Sequence, residues 1–174
     1  LLMSNYITSN FSNLIFSCSV PSQWHMEHRV PDHCVVFVRQ GKLLISDKGR
    51  TEEIPAGSCV FLKKDCSVRL VKASFAGKNY EGLNIRLPQN ILEDYFQRHL
   101  KNNEFPQDFT GLSNCFMRLN RTLCLQGLLS SIILFVEEGQ DPGQEMTELK
   151  VEELILDLLQ TDIRFIPTLF DFYR

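Results

Sequence analysis

The chain has 174 residues, 44% of them hydrophobic and 22% charged, with a formal net charge of −3. That length suits one good core, or a core with a small subdomain, and the slightly acidic balance leaves no basic stripe for nucleic acid. No apolar stretch reaches the ~20 residues of a membrane-spanning helix, and six cysteines without a CxxC spacing or a leader segment fit a reduced, cytoplasmic protein better than a disulfide framework.

Leu1 to Asn13 is polar, rich in Ser and Asn, and reads as a loose lead-in. Leu14–Val20 is a first strand, stopped by Pro21, and Gln23–Val30 alternates weakly while carrying Trp24, His25 and His28. Pro31-Asp32 then turns into the stretch that organises the chain, from His33 to Lys63. Its apolar runs Cys34–Val38, Leu43–Ile45 and Cys59–Leu62 are parted by Gly41, by Asp47-Lys48-Gly49-Arg50 and by Pro55-Ala56-Gly57. Short β-branched and aromatic runs between Gly-containing turns are consecutive antiparallel strands. Cys66–Ala73 follows with Val68, Leu70 and Lys72 on one side, then Tyr80–Leu87 with Leu83, Ile85 and Leu87 alternating against Gly82, Asn84 and Arg86. The spacing predicts roughly seven strands, or eight with a later one, that must close into a barrel or sandwich to be stable.

At Pro88 the period changes from two to 3.6. Residues 88–103 place Ile91, Leu92, Tyr95, Phe96 and Leu100 at helical spacing, with Pro88 at a natural helix start. Gly111–Leu119 reads as either an extra strand or a short helix. Asn120–Gly139 is a helix opened by Asn120 or Thr122 and stopped by Gly139. A turn at Asp141-Pro142-Gly143 leads into a second helix, Gln144–Gln160, and Ile163–Arg174 begins a third. Strands first and helices afterwards predict an α+β protein. Its divisions are a lead-in over residues 1–13, a barrel over 14–110 including the helix 88–103, and a helical subdomain over 111–174.

His25, His28, His33 and Cys34 are the one cluster of metal-ligand residue types, and their spacing matches no standard zinc pattern. The neighbouring carboxylates Glu52-Glu53, Glu137-Glu138 and Glu152-Glu153 read as solvated faces, since adjacent side chains on one element point apart. There is no nucleophile elbow and no phosphate loop. The organising stretch resembles the cupin superfamily, in which two short motifs hold a metal. Aligned on Gly41, the ligand positions of the first motif fall on His28, Val30 and Cys34; aligned on Gly57, the last ligand of the second falls on Val68. A valine has no lone pair to give, so the resemblance implies a cupin-like barrel without a metal or other cofactor, and not an enzyme. The competing reading is a small cupin-type enzyme, an isomerase or dioxygenase, which bound stoichiometric metal would favour. A third is a metal-free lectin-like or storage module.

The order of elements resembles the N-terminal regulatory domain of AraC-family transcription regulators, nearest to those of type III secretion. The resemblance rests on HCVVFVRQG (His33–Gly41) with Leu43-Leu44-Ile45, on Ile54-Pro55-Ala56-Gly57 with Val60-Phe61-Leu62, and on LKVEELILDLL (Leu149–Leu159). It implies a bacterial ligand-sensing and dimerisation domain that controls a C-terminal helix-turn-helix domain absent from this chain, so that DNA is met only through that domain. The effector would be a small molecule or a partner protein, and no membrane is involved. Strand alternation places Val36, Val38, Val60, Val68, Leu83 and Ile85 toward the barrel lumen, with Trp24 near its rim. More apolar residues on Leu149–Leu159 than one stripe needs mark Leu149, Val151, Leu154, Ile155 and Leu158 as a homodimer interface.

Overall fold

The structure is a computed structural model that describes residues 6–21, 23–106 and 108–173. Among these, ten strands form two antiparallel sheets. The strands are β1 (Ile7–Phe11), β2 (Ile15–Val20), β3 (Trp24–Arg29), β4 (His33–Gln40), β5 (Lys42–Asp47), β6 (Arg50–Pro55), β7 (Cys59–Leu62), β8 (Ser67–Ala73), β9 (Tyr80–Leu87) and β10 (Phe116–Leu119). The larger sheet runs β1-β2-β9-β4-β7-β10 and the smaller β3-β8-β5-β6. Helices α1 (Gln89–His99), α2 (Leu123–Glu137), α3 (Gln144–Thr161) and α4 (Phe165–Leu169) follow, with a closing 3₁₀ turn, Asp171–Tyr173.

Three layers result: the smaller sheet, the larger sheet, and the helices. Two apolar cores fill the gaps. Val36, Val38, Leu43, Ile45, Ile54, Val60, Val68 and Leu70 pack between the sheets. Val35, Phe61, Leu83, Ile85 and Leu87 pack from the larger sheet against Leu128, Val151, Leu154, Ile155 and Leu158 of the helices. Successive strand residues face opposite ways, so β4, β7 and β9 feed both cores at once, which explains the near-continuous hydrophobicity of β4 and β7.

Two glycines shape the turns on either side of β5. Gly41 lies between β4 and β5, where the chain leaves one sheet for the other, at φ +75° with no room for a Cβ: such an atom would lie 2.6 Å from the Ala73 carbonyl oxygen and 2.8 Å from the Tyr80 Cα. Asp47 pairs with Arg50, leaving Lys48-Gly49 as a two-residue hairpin loop in which both residues have positive φ, the turn whose twist matches its strands. Thr122 caps α2, accepting from the Leu125 N–H at 2.9 Å, while its hydroxyl donates to Asp157 of α3 at 2.8 Å and ties the helical hairpin together.

Several expectations need correction. The expected loose lead-in contains β1, which pairs with β2 from Ile7↔Cys18 to Phe11↔Ile15; the Ser/Asn composition hid an alternation in which one face is water-exposed. Residues 1–5 lie outside the described residues. β6 lies between the expected turns at Asp47–Arg50 and Pro55–Gly57, where polar Thr51, Glu52 and Glu53 give no strand signal, and it is an edge strand with only Ile54 fully inside. The ambiguous 111–119 segment ends in β10, an edge strand on β7. Ile163–Arg174 is a short helix and a 3₁₀ turn, and Arg174 lies outside the described residues.

Candidate effector cavity

A cavity of about 410 Å³ opens between the two sheets, within the usual size of a small-molecule site. Its walls are mostly apolar, among them Phe16, Met26, Val36, Leu43, Leu62 and Leu70, and β1 contributes Ile7 at the edge. Four charged side chains interrupt them, Glu27, Asp32, Lys72 and Arg86, together with the amide of Asn84. A larger groove of about 620 Å³ is lined mostly by polar and charged residues, among them Arg29, Asp47 and Lys48, with the Arg69–Glu27 ion pair at 2.7 Å beside them.

Lys72 is the unusual resident. It sits on β8 between Trp24 of β3 and Leu43 of β5, and it is almost fully buried. Its Nζ donates to the Cys18 Sγ at 3.6 Å and lies 5.6 Å from the Trp24 ring centroid and 5.4 Å from that of Tyr80. Burial holds this amine below the ordinary lysine pKa, partly opposed by Cys18, because an ammonium loses its hydration there. Cys34 is pushed up to about 12 by burial and then by Asp32, and burial raises the Tyr80 phenol well above its usual value. The Cys34 thiol and the Tyr80 phenol are therefore held neutral. The Tyr80 hydroxyl is buried with no hydrogen-bond partner among the described residues.

At the other side, Arg86 pairs with Asp32 at 2.5 Å and donates to the Asn13 carbonyl oxygen at 2.7 Å. That fork is occupied by the protein itself. Asn84 and Arg86, which alternate with the apolar residues of β9, line the cavity. Leu83 and Ile85 belong to the helix-side core, opposite to their expected direction. The helical layer takes the apolar face of β9, and the lumen takes the polar one.

Of the other expected lumen residues, Val36 lines the cavity, while Val38, Val60 and Val68 are buried in the inter-sheet core and Trp24 packs against it half-buried. Lys72 was placed on the same side of β8 as Val68 and Leu70, but its charge kept it out of the site. An alternating strand that puts a lysine in phase with buried residues is the signal that could have found it.

His33 is buried, stacks on Phe61 at 5.5 Å, and accepts from the Lys64 N–H through Nδ1 at 3.0 Å. Burial, and then Lys64, bring its pKa down to about 4, so it is a neutral core histidine. His25 is exposed, and the His28 side chain lies outside the described residues. Val30 and Val68, at cupin ligand positions, are buried apolar residues. The six cysteines are free thiols.

The expected dimer residues divide. Val151, Leu154, Ile155 and Leu158 are fully buried within this chain, each such side chain contributing about 1.5–3 kcal/mol to the fold, so they cannot face a second copy. Val151 precedes Leu154 and Ile155 by three and four positions and therefore shares their face. Leu149 is 58% exposed and Leu156, seven residues on, is 46% exposed. Among the described residues no helix is long and apolar enough to cross a membrane.

The model of the ExsA N-terminal regulatory domain family matches residues 33–165. None of the curated proteins matches the chain. Among solved structures, an apo ToxT variant from Vibrio cholerae superposes with a TM-score of 0.61 at 14% identity, covering 87% of this chain and 58% of that one. Wild-type ToxT from the same organism, described as bound to an unsaturated fatty acid, gives a TM-score of 0.58 at 12% identity, with 84% and 53% covered. A ToxT bound to (E)-4-(8-methylnaphthalen-1-yl)but-3-enoic acid gives 0.55 at 13% identity, with 84% and 57% covered. At such identities the likeness establishes the cupin-like α+β fold. The chain spans little more than half the length of these structures.

Proposed function

Because the chain belongs to the family of ExsA N-terminal regulatory domains, we propose that it is the effector-sensing part of an AraC-type regulator, not an enzyme, and that the cavity between its sheets is where the effector sits. One observation carries the reading: an apolar cavity of about 410 Å³ with the buried Lys72 among its lining residues. Apolar walls with a few placed polar groups fit a small, mainly hydrocarbon molecule with one polar end. That two ToxT structures hold molecules of this shape, an unsaturated fatty acid and an arylbutenoic acid, supports the class without specifying the compound.

The remaining parts of the regulator are proposed with it. DNA would be bound by a further domain, consistent with a chain that spans 58% of the apo ToxT variant and with a net charge of −3. Two copies would meet through the outward ridge of α3, where Leu149 and Leu156 are exposed. Such a regulator would work in the bacterial cytoplasm.

Thermal unfolding with and without palmitoleic acid tests the cavity. Ligand at a hundredfold excess over its Kd stabilises by about 2.7 kcal/mol, or roughly 5–10 °C for a chain of this size. Val36→Trp, which fills the cavity, should abolish the shift. A melting temperature unmoved by palmitoleic acid, decanoic acid and other medium- and long-chain acids would overturn the reading.

A further inference from the structure

We infer that Lys72 captures an aldehyde-bearing apolar effector as a reversible imine. The inference rests on the effector-cavity reading above and names the ligand class. A primary amine in a cavity is a cation for an anionic ligand or a nucleophile for a carbonyl, and its surroundings decide between them. Among the described residues they include the Cys18 thiol at 3.6 Å, the rings of Trp24 and Tyr80 within 5.6 Å, and the half-buried Cys34 thiol. Burial favours the uncharged amine, the form with a lone pair to give. The fixed guanidinium of the cavity, Arg86, is already engaged by Asp32 and by a backbone carbonyl, so the lining keeps its permanent cation paired.

The chemistry balances with nothing added. The Lys72 lone pair attacks the aldehyde carbon and the carbonyl π pair moves to oxygen. A proton passes from nitrogen to that oxygen to give the carbinolamine. Loss of one water then leaves the carbon–nitrogen double bond, and water returning through the cavity mouth reverses the sequence. The hydrocarbon part of the aldehyde lies against Phe16, Val36, Leu62 and Leu70. Reversible bond formation suits a sensor, since occupancy follows effector concentration.

The test uses the full chain, decanal as the probe, and sodium cyanoborohydride to trap any imine as a secondary amine, with peptide mapping by mass spectrometry. Decanal should modify Lys72 ahead of every other lysine, and the Lys72 adduct should be lost when decanoic acid competes for the cavity. Lys72→Arg should lose the adduct while retaining the far-ultraviolet circular dichroism of the parent. Should that variant fail to fold, the wild-type peptide map decides alone. Labelling spread evenly over surface lysines such as Lys42 and Lys64 overturns the inference. Calorimetric binding of decanoic acid with Lys72 left unmodified by decanal overturns the imine and leaves the effector cavity standing. Binding of neither probe removes both.

Discussion

Replacing Lys72 by methionine should make the protein more stable while depriving the cavity of its amine. Methionine matches the length of the lysine stem and carries no charge to desolvate. Exchanging a buried charge for an apolar group of similar volume is neutral or stabilising by about 1–4 kcal/mol. Against this, the variant forfeits the hydrogen bond to Cys18 at 3.6 Å, worth about 1 kcal/mol. The cation–π contacts of Lys72 with Trp24 and Tyr80 exist only for the protonated amine, the form that burial disfavours, so their loss adds little. The balance at neutral pH is a gain of about 0–3 kcal/mol. The pH dependence is the sharper readout. Burial lowers the folded-state pKa of Lys72, so between that value and about 10.4 the unfolded chain binds more protons than the folded one. Stability of the parent therefore rises with pH across that window, by at most about 1.4 kcal/mol per pH unit from this group. Lys72→Met lacks that rise, and its advantage shrinks as the pH is raised. Urea unfolding of both proteins from about pH 7 to about pH 9.5 measures this. A variant less stable than the parent at neutral pH, with an unchanged pH slope, would refute the account of Lys72 as a strained, desolvated amine.

His33 makes the opposite end of the pH scale visible. With a folded-state pKa of about 4 against 6.5, the unfolded chain takes up the extra proton as pH falls between those values, so stability is lost in that window, by roughly 3 kcal/mol in all. His33→Asn, which keeps an acceptor for the Lys64 N–H, should flatten urea midpoints there; an unchanged acid slope would contradict it. Gly41→Ala forces a Cβ against the Ala73 carbonyl and the Tyr80 Cα at a positive φ and should cost at least about 1–3 kcal/mol, read as a lower thermal midpoint; a wild-type midpoint would show that the corner can relax. On α3, Leu154→Ala should cost about 2–5 kcal/mol by opening a cavity in the helix-side core. Leu149→Asp with Leu156→Asp should leave stability within about 0.5 kcal/mol and convert a dimer to monomer in sedimentation. Retention of the dimer by that double variant would place the interface elsewhere.

What could be read from the sequence was whatever depends on local pattern. The Gly41, Lys48-Gly49 and Gly57 turns, the change of period at Pro88 and the capping Thr122 each announce their element through neighbours a few residues away. β1 and β6 escaped because edge strands bury one face or less, and their polar residues look like turn. The direction of β9 escaped for a different reason. Alternation separates Leu83 and Ile85 from Asn84 and Arg86, but whether the apolar set meets the lumen or the helices depends on a layer formed more than thirty residues later. The same ambiguity affected α3, where apolar excess alone could not distinguish Val151 and Leu154, which pack at home, from Leu149 and Leu156, which do not. Lys72 was legible in its phase and obscured by its charge. The site is thus built from the residues whose chemistry contradicts their position in the pattern.

The larger sheet is a wall with a different room on each side. On β9, Asn84 and Arg86 furnish one room, and Leu83 and Ile85 furnish the other, and the backbone between them is common property. A substitution that reshapes the cavity shifts that backbone and is felt by α3 on the far side, so paired changes across the strand should fail to add. Selection for a new signal therefore acts on the helical face as well. A lineage that altered what enters the cavity would have had to adjust the Leu154 and Ile155 packing alongside it, and the taste of the sensor and the set of its helices would have been inherited together.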